Sequence, residues 1–96
     1  MIYQVGFHSS AEREFDKMPS KERSRIGEAI QALAKNPRPP KAEKMAVLDA
    51  YRIRVGDYRV VYSIEDQLLI VLVVKVANRR EVYKDIDTIR KRLKSK

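Results

Sequence analysis

Hydrophobic spacing changes character several times along the chain. From Ile2 to Phe7, apolar residues alternate with others, the period of a strand. Ser9-Ser10-Ala11-Glu12 then has the form of a capping box, with Ser9 at the cap and Glu12 at its third following position. Ala11, Phe15 and Met18 fall at i, i+4 and i+7 on one helical face. Pro19 ends that helix, and Ser20 is placed to cap the next. Ile26, Ile30, Leu33 and Ala34 line one side of the second helix. It stops near Asn36-Pro37, because the residue before a proline disfavours the helical conformation. The tight joint at Pro19-Ser20 predicts a helical hairpin.

Pro37-Arg38-Pro39-Pro40-Lys41 is a stiff polar connection, and after it the period becomes two. Tyr51-Arg52-Ile53-Arg54-Val55 alternates cleanly, Gly56-Asp57 follows, and Tyr58 to Ile64 is again extended. Glycine in the first of two loop positions favours a type II′ hairpin turn. Glu65-Asp66-Gln67 makes another turn, and Leu68 to Val76 is almost wholly apolar, as in a strand covered on both faces. Ile86, Ile89 and Leu93 then recur at helical spacing among Arg90, Lys91, Arg92 and Lys94. The order β-α-α-β-β-β-α predicts an α+β fold: an N-terminal strand, a helical hairpin packed on an antiparallel sheet of about four strands, and a short C-terminal helix.

Composition narrows the class. Ninety-six residues fit a single domain, 1–96, and 44% hydrophobic content argues against disorder. The absence of cysteine removes disulfide and thiolate chemistry and suits a reducing cytoplasm. Met1 to Val5 lacks the basic start and apolar run of a signal peptide, and Leu68 to Val74 is too short to span a bilayer. A cytoplasmic protein with no membrane partner is expected. The formal net charge is +8, a balance that attracts phosphate polymers or acidic partners. The excess is uneven: residues 1–50 hold nine Lys/Arg against seven Asp/Glu, and residues 51–96 hold twelve against six. The anionic partner should meet the C-terminal half.

The Gly56-Asp57 turn implies a register in which Val55 faces Tyr58, Arg54 faces Arg59, Ile53 faces Val60 and Arg52 faces Val61. Strand side chains alternate faces, so Arg52, Arg54 and Arg59 share one face while Ile53, Val55, Tyr58 and Val60 share the other. Opposed arginines repel modestly, yet clustered guanidinium groups dock phosphate well through their planar forks of donors. A solvated basic face and a polyanion site fit this pattern about equally. Asn78-Arg79-Arg80-Glu81-Val82-Tyr83 follows the apolar strand, where functional side chains often stand. A solvated turn would also account for Arg79 and Arg80, and a half-buried anchor for Tyr83. The register of the last hairpin is open, so Lys75 is assigned to neither face.

The run Tyr51-Arg52-Ile53-Arg54-Val55-Gly56-Asp57-Tyr58-Arg59-Val60-Val61-Tyr62, with Val76-Ala77-Asn78-Arg79-Arg80-Glu81-Val82-Tyr83, resembles the RelE/ParE toxin superfamily. The arginine followed closely by a tyrosine near the C-terminus is similar to the RelE ribonuclease branch. The resemblance implies a toxin of a type II toxin–antitoxin system: a ribosome-dependent endoribonuclease that cuts messenger RNA without a metal or other cofactor. The ribose 2′-hydroxyl would attack its own 3′-phosphate. Arg59 and Arg79 would be catalytic, the first holding the scissile phosphate and the second stabilising the phosphorane or assisting the leaving oxygen. Tyr83 would stack on a base or accept the 2′-hydroxyl proton. Arg52, Arg54 and Arg80 would bind neighbouring RNA phosphates. His8 is the only histidine and is expected to cap or sit in a loop. The partners implied are a cognate antitoxin, the ribosome and messenger RNA. The antitoxin would fold a segment onto the toxin, and the tail helix is either mobile and displaceable or an ordinary packed helix. A ParE-like DNA gyrase poison and a non-catalytic nucleic-acid-binding module are the alternatives.

Overall fold

The alternating segments pair as their spacing requires. The computed structural model describes residues 2–95. Strand β3 (Tyr51–Val55) and strand β4 (Tyr58–Glu65) form the antiparallel hairpin, with Arg54 opposite Arg59, Ile53 opposite Val60 and Arg52 opposite Val61. Gly56 has φ of 60°, while Asp57 is not among the residues at positive φ, so the left-handed position falls on glycine as a II′ turn demands. Strand β5 (Ile70–Asn78) pairs antiparallel with β4.

The sheet departs from the expected form at both edges. Strand β1 (Gln4–Phe7) runs parallel to β5, from Gln4 opposite Ile70 to Phe7 opposite Val73. A two-residue strand β2 (Glu43–Lys44) pairs with β3. The result is a mixed sheet of five strands in the order β1-β5-β4-β3-β2 rather than an antiparallel sheet of about four. The β3-β4-β5 meander leaves the outer edge of β5 unpaired. β1 closes that edge, since buried backbone groups need partners. β2 is too short to carry any periodicity.

Helix α1 (Ser9–Asp16) and helix α2 (Ser20–Ala32) cover one face. Their buried side chains Ala11, Ile26 and Ile30 join Ile53, Val60, Tyr62, Val71, Val73 and Val76 in one core cluster. The helices meet closely at Gly27, where a Cβ would stand 3.5 Å from the Phe15 ring. Both expected caps are displaced. His8, not Ser9, caps α1, its Nδ1 accepting from the Ser10 N–H at 3.2 Å. His8 thus has the capping role expected of it. Pro19 occupies the cap of α2 and makes no side-chain bond there, so Ser20 lies inside the helix.

The other face is covered as well. Helix α3 (Arg79–Lys84) and helix α4 (Ile86–Lys94) replace the single expected C-terminal helix. Val82 and Ile89 join Met45, Leu48, Ala50, Val61, Val74 and Ala77 in a second core cluster. Ile89 is fully buried, which contributes about 1.5–3 kcal/mol toward docking α4. In this structure, which holds no partner, the tail helix lies packed against the sheet. Its neighbours explain why β5 is apolar on both faces.

Candidate nucleic-acid interface

Three arginines stand where the hairpin register puts them, on the face shared with Val61 and Ala77. Their surroundings differ. Arg52 is held by Glu43, its cross-strand partner, with Nη2 3.1 Å from Oε2. Arg52 also lines a cleft of about 400 Å³ with Lys44, Met45, Ala46, Val47 and Ile86. Arg54 is exposed and donates through Nε to the Gly56 carbonyl at 3.4 Å. Arg59 is half-buried and donates to its neighbour's carbonyl, Tyr58 O, at 3.2 Å. Among the described residues, neither Arg54 nor Arg59 has a carboxylate partner.

α3 adds two more arginines beside this pair. β5 ends at Asn78, opposite Tyr58, and its next residue turns into the helix. The Asn78 side chain caps α3 by accepting from the Arg80 N–H at 3.0 Å, the role its short amide suits. The Arg79 N–H donates to Asp57 O in the hairpin turn at 3.0 Å. Arg79 and Arg80 are therefore exposed at a helix start pinned to the turn that carries Arg54 and Arg59. Tyr83 falls within the span of α3, and its side chain lies outside the described residues. The structure thus gathers Arg54, Arg59, Arg79 and Arg80 at one end of the sheet and places Arg52 further along β3. Among the described residues these four guanidinium groups have no carboxylate partner, and such a cluster has the charge and donor geometry that suit phosphate oxygens.

Behind this surface lies a second group that sequence reasoning missed. The Glu14 carboxylate of α1 accepts from Lys75 Nζ at 2.7 Å, from Arg92 Nη1 at 2.9 Å and Nη2 at 3.2 Å, and from the Val76 N–H at 3.2 Å. Lys75 also pairs with Asp85 at 3.2 Å. Burial alone would push the Glu14 carboxyl up. The bonds from Arg92 and Lys75 outweigh it and hold the group below its ordinary range. A lysine inside an otherwise apolar strand was the available signal. On the far side of the molecule, Arg38 forks onto Asp66 at 3.1 and 2.8 Å, and Tyr3 donates to the same carboxylate at 2.6 Å. These bonds hold Asp66 down to about 2, with Arg38 the larger cause, and they tie the proline segment to the β4–β5 turn. No three His, Asp or Glu side chains among the described residues gather as a metal would need. Nor is any helix among them long and apolar enough to cross a membrane.

This architecture has known counterparts. The structure of a free mutant of the E. coli toxin RelE superposes with a TM-score of 0.77 at 26% identity, covering 92% of this chain and 97% of that one. The E. coli RelBE toxin–antitoxin complex gives 0.71 at 26% identity, covering 79% of this chain and 95% of its counterpart. In sequence, a RelE-like toxin protein of Escherichia coli is 32% identical over 82% of this chain and 85% of its own length. The mRNA interferase toxin RelE of Escherichia coli K12 is 28% identical over 88% and 94%. The family described as the ParE toxin of type II toxin–antitoxin systems, parDE, matches residues 5–83, and the chain belongs to that family, within the RelE/ParE superfamily of toxins.

Proposed function

We propose that this toxin is an endoribonuclease that cuts messenger RNA on the ribosome and so stops translation. The carrying observation is the Arg54–Arg59 cross-strand pair. Like charges face each other at a modest energetic cost, neither is neutralised by a described carboxylate, and Arg79 and Arg80 stand beside them. An anionic ligand relieves that repulsion, and the phosphodiester of RNA carries the required charge. The likeness to a protein named mRNA interferase toxin supports RNA as the polymer.

In this reading the 2′-hydroxyl gives up its proton and attacks the adjacent phosphorus, and the 5′-oxygen of the next nucleotide leaves as a hydroxyl on taking a proton from solvent, with a 2′,3′-cyclic phosphate left on the upstream fragment. Arg59 holds the scissile phosphate, and Arg79 stabilises the charge that builds on the phosphorane. Arg54 and Arg80 bind flanking phosphates. Arg52, already engaged by Glu43, serves the outermost one. Tyr83 stacks on a base or accepts the 2′-hydroxyl proton, and the second role would need a surrounding cationic field, because an ordinary tyrosine holds its proton until about pH 10. The ribosome supplies RNA ordering that so small a surface cannot, worth about 7–11 kcal/mol in favourable systems. A cognate antitoxin holds the toxin inactive, as the RelBE complexes suggest, and the toxin acts in the cytoplasm.

The test is message cleavage in a purified translation system, with and without ribosomes, beside a gyrase supercoiling assay. Cleavage on ribosomes alone is expected, and Arg59→Ala and Arg79→Ala should abolish it while melting like the parent. Tyr83→Phe should be milder than Tyr83→Ala if the ring stacks, and equally damaging if the hydroxyl takes the proton. Gyrase inhibition with intact messages would instead establish the gyrase-poison reading that the ParE family match keeps open. RNA binding without cleavage would establish a plain binding module.

A further inference from the structure

Lys75 is the only charged residue in β5, and its side chain is 7% exposed. Its direction comes from an irregularity in the sheet. Tyr62 pairs with Val73 and Val61 pairs with Lys75, so Val74 has no partner across β4. Such a bulge re-aims the side chains that follow it. Val76 accordingly returns to the core under α1 and α2, and Lys75 reaches both Glu14 and Asp85. Arg92 of α4 brings the second cation, bonding to Glu14 and to the Val74 carbonyl at 2.9 Å. Two cations and two carboxylates balance. Sheltered ion clusters of this kind stabilise little more than apolar residues of the same volume would. Net stability is therefore a poor explanation for this one.

Asp85 points to what the cluster does. It is the joint between α3 and α4, closing the first and occupying the cap of the second. An aspartate at that position ordinarily accepts from the amides of its own helix. Here it makes no capping bond, and its carboxylate lies on Lys75 instead. α3 has six residues, too few to hold a helix alone. It is fixed at its start by the Asn78 cap and the Arg79 bond to Asp57, in its middle by buried Val82, and at its end by Lys75–Asp85.

We propose that Lys75 and Asp85 are positioning residues for the arginines of α3. Their ion pair locks the α3–α4 joint to β5 and thereby sets where Arg79 stands relative to Arg59. Glu14 and Arg92 hold Lys75 in place to do this. Without the lock, α3 keeps buried Val82 but pivots about it, the bonds of the Arg79 and Arg80 amides at its start loosen, and Arg79 loses its alignment with the phosphate on Arg59. The assignment rests on the ribonuclease reading above.

Asp85→Asn tests it with little risk to folding. Asparagine keeps the volume and the capping ability, Asp85 is 39% exposed, and Lys75 retains Glu14. Asp87→Asn is the control, because it removes an equal charge from an exposed pair with Arg90 on the same helix. Asp85→Asn should lower kcat for message cleavage on ribosomes about tenfold to a hundredfold, as a misplacement near 1 Å does. KM and the melting midpoint should barely move. Asp85→Glu should regain most of the rate, and Asp87→Asn should match the parent. Hydrogen exchange of the Arg79 and Arg80 amides should quicken by about tenfold in Asp85→Asn. Unchanged kcat, a loss confined to KM, or a loss that tracks a fallen melting midpoint would overturn the assignment. If the parent cuts no message at all, the ribonuclease reading fails. Exchange then decides the lock alone, and unchanged protection at Arg79 and Arg80 sinks it.

Discussion

Replacing Glu14 by glutamine removes one charge and almost no volume, and its cost follows from the bonds around it. The carboxylate accepts from Lys75, from both terminal nitrogens of Arg92 and from the Val76 N–H. A glutamine oxygen can keep the Arg92 Nη1 and Val76 side, but its amide then meets the Lys75 ammonium donor to donor. Hydrogen bonds to charged groups contribute about 1.5–3 kcal/mol each, and breaking a fully buried ion pair costs about 3–5 kcal/mol. Glu14 is 24% exposed, so water recovers part of the loss. The expected destabilisation is about 2–3 kcal/mol, or about 10–20 °C in melting midpoint for a domain of this size. The pH dependence has a definite sign. The folded pKa lies below the ordinary 4.5, so this stability is present above that value and is lost as pH falls through the folded pKa. The gap between parent and variant should therefore be full at neutral pH and close on acidification. Urea melts across pH would measure it, and a double-mutant cycle with Arg92→Met should give a coupling of about 1–3 kcal/mol. A variant within about 0.5 kcal/mol of the parent at neutral pH, or a gap that widens in acid, would refute the reasoning.

Other substitutions probe the scaffold. Gly56→Ala should cost about 1–2 kcal/mol in a thermal melt. A Cβ there would sit 3.6 Å from Arg25 Nη1, an ordinary contact, so φ of 60° alone supplies the cost. Tyr62→Phe should cost about 1–2 kcal/mol by stranding the buried Pro37 carbonyl that its hydroxyl bonds at 2.7 Å. Burial first, then the nearby Tyr51, pushes the Tyr62 hydroxyl up to about 12. Its contribution is therefore complete below about 10 and fades as pH rises toward 12, so denaturation midpoints of parent and Tyr62→Phe should converge over that window. Asp66→Asn should shift the melting midpoint only slightly, because its bond to Arg38 is exposed on both sides. A large shift there would mean that the proline segment depends on that one pair.

The sequence determined those features that rest on local periodicity. Alternation at 51–55 and 58–64, with glycine at the first loop position, dictates the hairpin, its register and the facing of Arg52, Arg54 and Arg59. A slip of a single position would bury arginines. The apolar run through Val74 required cover on both faces, and α3 and α4 provide the second layer. The candidate arginines were legible for the same reason, since each belongs to the hairpin or directly follows the apolar strand. Tertiary structure decided what depends on distant partners. The parallel pairing of β1 arises because β5 has an open edge, which no pattern within residues 2–7 records. His8 stands at the cap in place of Ser9, its N–H bonded to the Val73 carbonyl of β5 and its Nε2 3.1 Å from Ser95 Oγ at the far end of the chain. The placement of Lys75 was hidden because a bulge breaks the period of two, and bulges follow from packing against other elements rather than from local spacing. Glu14 and Lys75 lie 61 positions apart in sequence, and Glu14 and Arg92 lie 78 apart. Only the closed fold brings their charges within hydrogen-bonding reach, out of the water that would otherwise screen them.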